Sequence, residues 1–288
     1  MKFSRYFVYI LFFLFLGGTC KQKKSNSIQV LTPVTYSEYY SKTNGKSGAK
    51  LKTALFEIIG NHHAISYSDI WSAFEKTDLR PDGSVWDMYS DIPNGRSKYS
   101  FYIDRKRCGN FRQEGDCYNR EHSVPKSWFL DGEPMYSDLF HVYPTDGYVN
   151  SRRGNLPLGE VGIFSWQSTN GSKIGQNTFG NYTQTVFEPI DEYKGDFART
   201  YFYMVTAYEN DVENWRSAQI GGNKYPAIKE WAVKMFLKWH RQDPVSEKER
   251  NRNEVVFGIQ KNRNPFIDYP ELAEHVWGNK KNQPFNLK

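Results

Sequence analysis

The spacing of apolar residues changes period along the chain, and each change marks an element. From Lys50 onward, Leu51, Ala54, Leu55 and Ile58 fall on one helical face, and Gly60-Asn61 ends the run. Ile70, Trp71 and Phe74 mark a second helix over 68–76. The period then shortens: Tyr99, Phe101 and Ile103 alternate with polar neighbours, the pattern of a half-buried strand. Later the helical period returns. Asp196 is placed to cap a helix carrying Ala198, Tyr201, Phe202 and Val205. Another helix is expected from Pro226, which suits a first turn, with Ile228, Trp231, Ala232, Met235 and Trp239 inward. The aromatic stripes read as core. With no internal repeat and no linker after residue 48, the chain reads as a single α+β domain, mostly helical with a small antiparallel sheet.

The first residues follow a different rule. Lys2 and Arg5 precede an unbroken apolar run from Phe7 to Leu16, then Gly17-Gly18-Thr19 and Cys20. The run is too short to span a bilayer, and its flanks have the pattern of an export signal. Small residues before a cysteine also look like a bacterial lipoprotein site, with Cys20 lipidated as the first mature residue. Thr19 fits that site poorly, so free secretion, extracellular or periplasmic, competes with anchoring. The expected layout is a signal over 1–19, a polar tether over 20–48, the folded domain over 49–280 and a tail over 281–288. The formal charge of +6 falls to +4 once Lys2 and Arg5 are removed, a mildly basic balance that suits an anionic partner without specifying one.

There are three cysteines. With Cys20 lipidated, Cys108 and Cys117 remain as an even pair, close enough to close a disulfide loop in an oxidising compartment. Two free buried thiols are one alternative. A zinc site made of Cys108, Cys117, His122 and His141 is another, although its spacing matches none of the usual zinc patterns.

The residues after that loop carry the chemistry. Asn119-Arg120-Glu121-His122-Ser123-Val124-Pro125 and the stretch from Asp138 to Asn155 gather a carboxylate, an imidazole, carboxamides and guanidinium groups. These are the parts needed to hydrolyse a phosphodiester with one hard metal ion. On an extended strand Glu121 and His122 point to opposite sides, so one can hold the metal while the other removes a proton from the attacking water. Pro125 stops regular pairing soon after. Thr145 or Asp146 can cap a helix with Asn150 in an early turn and Arg153 on the same face. Asn150 is therefore placed at the metal. Asn155 is turned away and falls to turn chemistry or a substrate contact. A carboxylate and an amide oxygen with several waters suit Mg²⁺, other divalent cations remaining open. Arg153 is the candidate phosphate clamp, while Arg120 and Arg152 are solvated or touch a nucleic-acid backbone. Taken alone, an adjacent Glu and His is common, and both can be structural.

The segment closely resembles the endonuclease I family of bacterial secreted and periplasmic nucleases, which carry a ββα-metal motif. The matching pieces are Tyr118 to Pro125, Asp138-Leu139 with His141, Pro144, Gly147 to Asn150, Arg153 and Asn155. Two further blocks follow in the family's order: Phe187-Glu188-Pro189 with Lys194 to Met204, and Gln260 with Asn262 to Asp268. The resemblance implies that His122 is the general base, that Glu121 and Asn150 bind Mg²⁺, and that non-specific cleavage of DNA, with RNA open, leaves 5′-phosphates. It leaves Arg199 either at a substrate cleft or in helix-surface pairing. His141 is read as structural rather than catalytic, and Asn264 and Asp268 as loop and turn residues holding the C-terminal segment. The chain departs from some relatives in its few cysteines and its short stretch between His122 and Asn150, so no family disulfide pattern is carried over.

The expectation is an exported, monomeric, Mg²⁺-dependent endonuclease acting on DNA and, as an open question, RNA. Its binding should be salt-sensitive, because phosphate contacts release counterions. A surface lipoprotein that binds nucleic acid or a partner without cutting it is the competing class, and a zinc-stabilised binding module is a third.

Overall fold

The computed structural model describes residues 35–93 and 95–287. The export signal, Cys20 and the first part of the expected tether lie outside the described residues. Order begins earlier than the polar composition implied. Thr35 caps α1 (Tyr36–Tyr39) in a reciprocal capping box with Glu38. Tyr40 is fully buried, its hydroxyl donating to Asp268 at 2.6 Å. A tether reaching residue 48 does not fit these contacts: one buried tyrosine among Ser, Thr and Lys anchors a segment whose composition reads as loose. The other end behaves alike. Phe285 is buried and exchanges backbone hydrogen bonds with Gly45 and Lys46, so 281–287 is not a free tail.

Helices α2 (Gly48–Ile59) and α3 (Ile70–Thr77) bury the expected faces, Leu51, Ala54 and Leu55 in one and Ile70 and Phe74 in the other. The strand expected at 99–103 does not form. Phe101 is buried and Tyr102 exposed, as the alternation implied. Among the described residues, however, this segment makes an isolated bridge, Tyr102 to Arg105, and accepts one backbone bond, from the Val85 N–H to the Phe101 carbonyl at 2.8 Å, rather than a ladder. Alternation records which side chains face inward, whereas a strand also needs a neighbour to pair with.

Strands β1 (Tyr118–His122) and β2 (Val142–Asp146) pair antiparallel, with Glu121 opposite Tyr143 and Arg120 opposite Pro144. A two-stranded sheet consists of edges only, so Pro144 is admissible there. Helix α4 (Gly147–Arg153) leaves β2 with no intervening loop. A second antiparallel sheet follows in the order β3 (Val161–Gln167), β4 (Lys173–Asn177), β5 (Thr185–Glu188).

Helix α5 (Lys194–Ala207) is buried on every side and packs against α2 and α6 (Glu230–Gln242). Asp196 lies inside its first turn, not at the cap. The polar residues of α5 tolerate burial because partners reach them: Glu249 of α7 (Glu247–Gln260) meets Arg199, and Asp138 meets Tyr203. Helix α6 starts at Glu230 rather than Pro226. Ala227 takes a φ of 68°, and the backbone of 227–229 bonds to Gln219 and Gly221, which holds this stretch out of the helix. The short helices α8 (Pro265–Asp268) and α9 (Leu272–Val276) complete the fold. Asn264 caps α8, and Asp268 accepts from Arg263 and Tyr40, the holding roles read for both. From Thr35 the chain forms one α+β unit. Among the described residues no helix is long and apolar enough to cross a membrane.

Candidate active site on the β1–β2–α4 unit

Strand β1 decides which side chains can meet. Alternation puts Asn119 and Glu121 on one face and Arg120 and His122 on the other. Helix α4 lies against the first face, and its start is fixed twice. Asp146 Oδ1 accepts the Val149 N–H at 2.9 Å as the cap, and the Gly147 N–H donates to the Cys117 carbonyl at 2.8 Å. Gly147 has no room for a side chain: a Cβ there would sit 2.3 Å from Cys108 Sγ. Cys108 and Cys117 are bonded to each other, which removes both from the zinc alternative. Among the described residues no group of three or more His, Cys, Asp or Glu side chains is arranged to hold a metal.

Two rungs join β1 to α4. Asn150 Nδ2 donates to Asn119 Oδ1 at 2.6 Å, and Arg153 Nη1 donates to Glu121 Oε1 at 2.9 Å. Two residues along a strand advance by about 7 Å and three along a helix by about 5 Å, so the rungs keep step. Glu121 and Asn150 thereby become diagonal neighbours on facing elements.

This geometry corrects the role expected of Arg153. Its guanidinium also donates to the carbonyls of His122 at 3.0 Å and Ser123 at 2.6 Å, and the residue is only 1% exposed. A group with no free surface cannot clamp a phosphate. It holds Glu121 and the end of β1 instead. Burial raises the Glu121 carboxyl above its ordinary range, while Arg153 and the Tyr89 hydroxyl, 2.7 Å from the same oxygen, oppose that rise.

His122 is buried against aromatic rings, with Tyr136 stacked at 5.1 Å between centroids and Tyr67 at 5.8 Å. Its Nε2 lies 2.9 Å from the Tyr136 carbonyl oxygen. A carbonyl only accepts, so Nε2 carries the hydrogen and, in the neutral ring, Nδ1 holds the lone pair. Burial, and after it the neighbouring His141, push the His122 pKa down to about 3. The ring is neutral near pH 7, with its lone pair at Nδ1. His141 is fully buried with Nε2 2.6 Å from the Met135 carbonyl, a structural placement.

The leftover polar atoms test whether a metal fits. Tyr89 and Arg153 both address Oε1 of Glu121, and Asn119 takes the Asn150 amide N–H. Among the described residues no donor reaches Glu121 Oε2 or Asn150 Oδ1. The Thr145 hydroxyl, on the residue opposite Asn119, is buried and also lacks a partner. Hard oxygens left over on adjoining elements suit Mg²⁺ with water in its remaining positions.

The other candidates divide. Arg120 lies over Tyr67 at 3.5 Å and Trp71 at 4.6 Å, with Nη1 on the Tyr67 carbonyl, so it is held in place rather than freely solvated. Arg152 is exposed above Trp166, and Asn155 is exposed in the turn after α4. Arg199 does not join the site, so of its two expected roles the substrate contact fails. It is sealed inside α5's packing, paired with Glu249 and bonded to the Asp243 carbonyl. Three contributors were missed by sequence reasoning. Asn119 was within reach of it, since period two carries Glu121's face back to position 119. Tyr89 is 32 residues from Glu121 with no pattern linking them, and Tyr136 acts through a backbone carbonyl that no residue type announces.

Comparison with known proteins identifies the family. The model of the family described as Endonuclease I matches residues 47–271. The chain is 36% identical over 272 residues to an extracellular ribonuclease of Bacillus amyloliquefaciens, covering 91% of this chain and 85% of that one. It is 34% identical over 248 residues to an extracellular ribonuclease of Bacillus subtilis (strain 168), covering 83% and 78%. A periplasmic deoxyribonuclease of Aeromonas hydrophila is 22% identical over 228 residues, covering 76% and 84%. The family match takes in β1, β2 and α4 with Glu121, His122 and Asn150, and the chain belongs to the endonuclease I family.

Proposed function

We propose that this protein is an exported, monomeric endonuclease that uses Mg²⁺, or a similar divalent ion, to hydrolyse phosphodiester bonds of RNA and DNA. Cleavage has no strong sequence preference and leaves 5′-phosphates. The observation that carries this reading is the pair of oxygens without partners among the described residues, Glu121 Oε2 and Asn150 Oδ1, beside a strand that ends in a neutral imidazole. When bound, the ion would neutralise charge building on the phosphate.

The chain's own residues do the rest. His122 accepts the proton of the attacking water at Nδ1, while the Tyr136 carbonyl on Nε2–H keeps the ring oriented and favours the imidazolium that forms. Arg153 favours the ionised form of Glu121 against the burial that raises its pKa, and turns it toward α4. Arg120, Arg152 and Asn155 address the sugar-phosphate backbone, a contact that carries no sequence information.

Substrate and location rest on the relatives. Two are named as extracellular ribonucleases and one as a periplasmic deoxyribonuclease, which supports both nucleic acids as substrates and supports export. The apolar run of Phe7 to Leu16 agrees with export, and acylation of Cys20 would add a membrane anchor. Purified protein should degrade plasmid DNA and RNA in Mg²⁺ and spare both in EDTA. His122→Ala should lose turnover by about 10²- to 10⁴-fold while still binding nucleic acid in EDTA. A His122→Ala protein that cuts as fast as wild type would overturn the assignment.

A further inference from the structure

Across α4 from Asn150 lies a surface of which the site above uses only Arg152. Tyr148 and Arg152 are one helical turn apart and share the flank turned away from Asn150. Both meet Trp166 of β3. The guanidinium carbon of Arg152 lies 5.4 Å from the indole centroid, and the Tyr148 ring lies 6.5 Å away. Beside Trp166, β3 leaves Ile163 87% and Phe164 51% exposed. From Val161 to Gln167 the strand carries no charged residue, so the strip combines aromatic and apolar side chains with a cation and no acid of its own. Trp166 itself is half-buried, and exposed apolar side chains beside a half-buried indole and a cation mark a binding surface.

Two occupants suit an edge strand. A second copy of the chain could add its own strand to β3, but the register of β3 shifts on both sides of Phe164. Such bulges break the regular edge that a pairing strand needs. Flat rings beneath an arginine fit a nucleobase with its adjoining phosphate better. Resting on the nuclease reading, we infer that Trp166, Tyr148 and Arg152 form a stacking subsite for an unpaired base of the substrate. Arg152 directs its N–H groups to the neighbouring phosphate. The subsite stands about one helix diameter, on the order of 10 Å, from Asn150, so the base it holds lies near the bond to be cut. Duplex bases have both faces covered by their neighbours, so the subsite favours single-stranded stretches over duplex.

The test uses the full protein in EDTA, where no cleavage occurs, with a short fluorescein-labelled single strand and the matching duplex as probes. Trp166→Ala should bind the single strand about ten-fold more weakly by anisotropy and leave duplex binding alone. Trp166→Phe, which keeps a flat ring and guards against misfolding of the alanine variant, should recover most of the affinity. Wild-type tryptophan fluorescence should be quenched by the single strand to a degree that Trp166→Phe lacks. With Mg²⁺, the single-strand KM of Trp166→Ala should rise by a similar factor. Unchanged single-strand affinity would overturn the subsite. So would equal losses on both probes, or a wild-type dimer that Trp166→Ala dissociates. A wild type that cuts nothing would sink the nuclease reading instead, and the EDTA measurements would still decide the subsite.

Discussion

Arg153 Nη1 and Glu121 Oε1 lie 2.9 Å apart, with both side chains almost wholly sealed from solvent. Removing one partner of a buried ion pair leaves the other charge uncompensated, at a cost of about 3–5 kcal/mol. Arg153→Ala should lower the unfolding free energy by about that amount, read by urea denaturation. Arg153→Lys should recover little, because an ammonium cannot follow the guanidinium's plane to Glu121 and two carbonyls together. A variant of wild-type stability that had lost only phosphate affinity would reinstate the clamp.

The Asn119–Asn150 rung predicts an effect on the metal rather than on the fold. Asn119→Ala removes the acceptor that turns Asn150 Oδ1 outward. Mn²⁺ binding without nucleic acid, followed by electron paramagnetic resonance, should weaken by about 10- to 100-fold with little change in Tm. Equal Mn²⁺ affinity would show that Asn150 needs no such partner.

Joining Cys108 to Cys117 closes a loop with a sequence separation of 9. Replacing both by serine should cost about 2–3 kcal/mol. The loss should be felt at α4, because the Cys117 carbonyl holds the Gly147 N–H and Cys108 Sγ abuts Gly147. Amide exchange at 147–150 should quicken before global unfolding does. Protection there matching wild type would separate the loop from the helix.

His240 supplies a pH dependence. Its Nε2 donates to the Pro270 carbonyl at 3.0 Å, and its Nδ1 faces Arg199 Nη1 at 3.4 Å. Burial, and after it Arg199, push its pKa down to about 4 from the ordinary 6.5, with Arg241 reinforcing and Glu274 opposing. The unfolded chain therefore takes up this proton first. The contribution to stability is full above pH 6.5 and is lost as pH falls toward 4. Over that interval wild type should lose up to about 3 kcal/mol more than His240→Gln. Parallel stability curves for the two proteins would show that His240 titrates normally.

The sequence by itself determined the parts of the site that are local. Strand alternation at Glu121-His122, a cap at Thr145 or Asp146 and a helix carrying Asn150 all depend on contacts between neighbours within 118–153, and the structure has each, with Asp146 as the cap. The inward faces of α2 and α3 were legible for the same reason. Tertiary structure alone decided what each charged or polar group does once placed. Arg153 reads in the chain as a phosphate clamp and Arg199 as a cleft or helix-surface residue, yet both are enclosed, one by Glu121 and the end of β1, the other by Glu249, 50 residues away. The stretch from Thr35 to Gly48 looks loose until Tyr40 reaches Asp268, 228 residues on. Periodicity reports which face a residue takes within its own element. Whether that face meets water, a partner or a substrate depends on distant segments that the pattern does not contain.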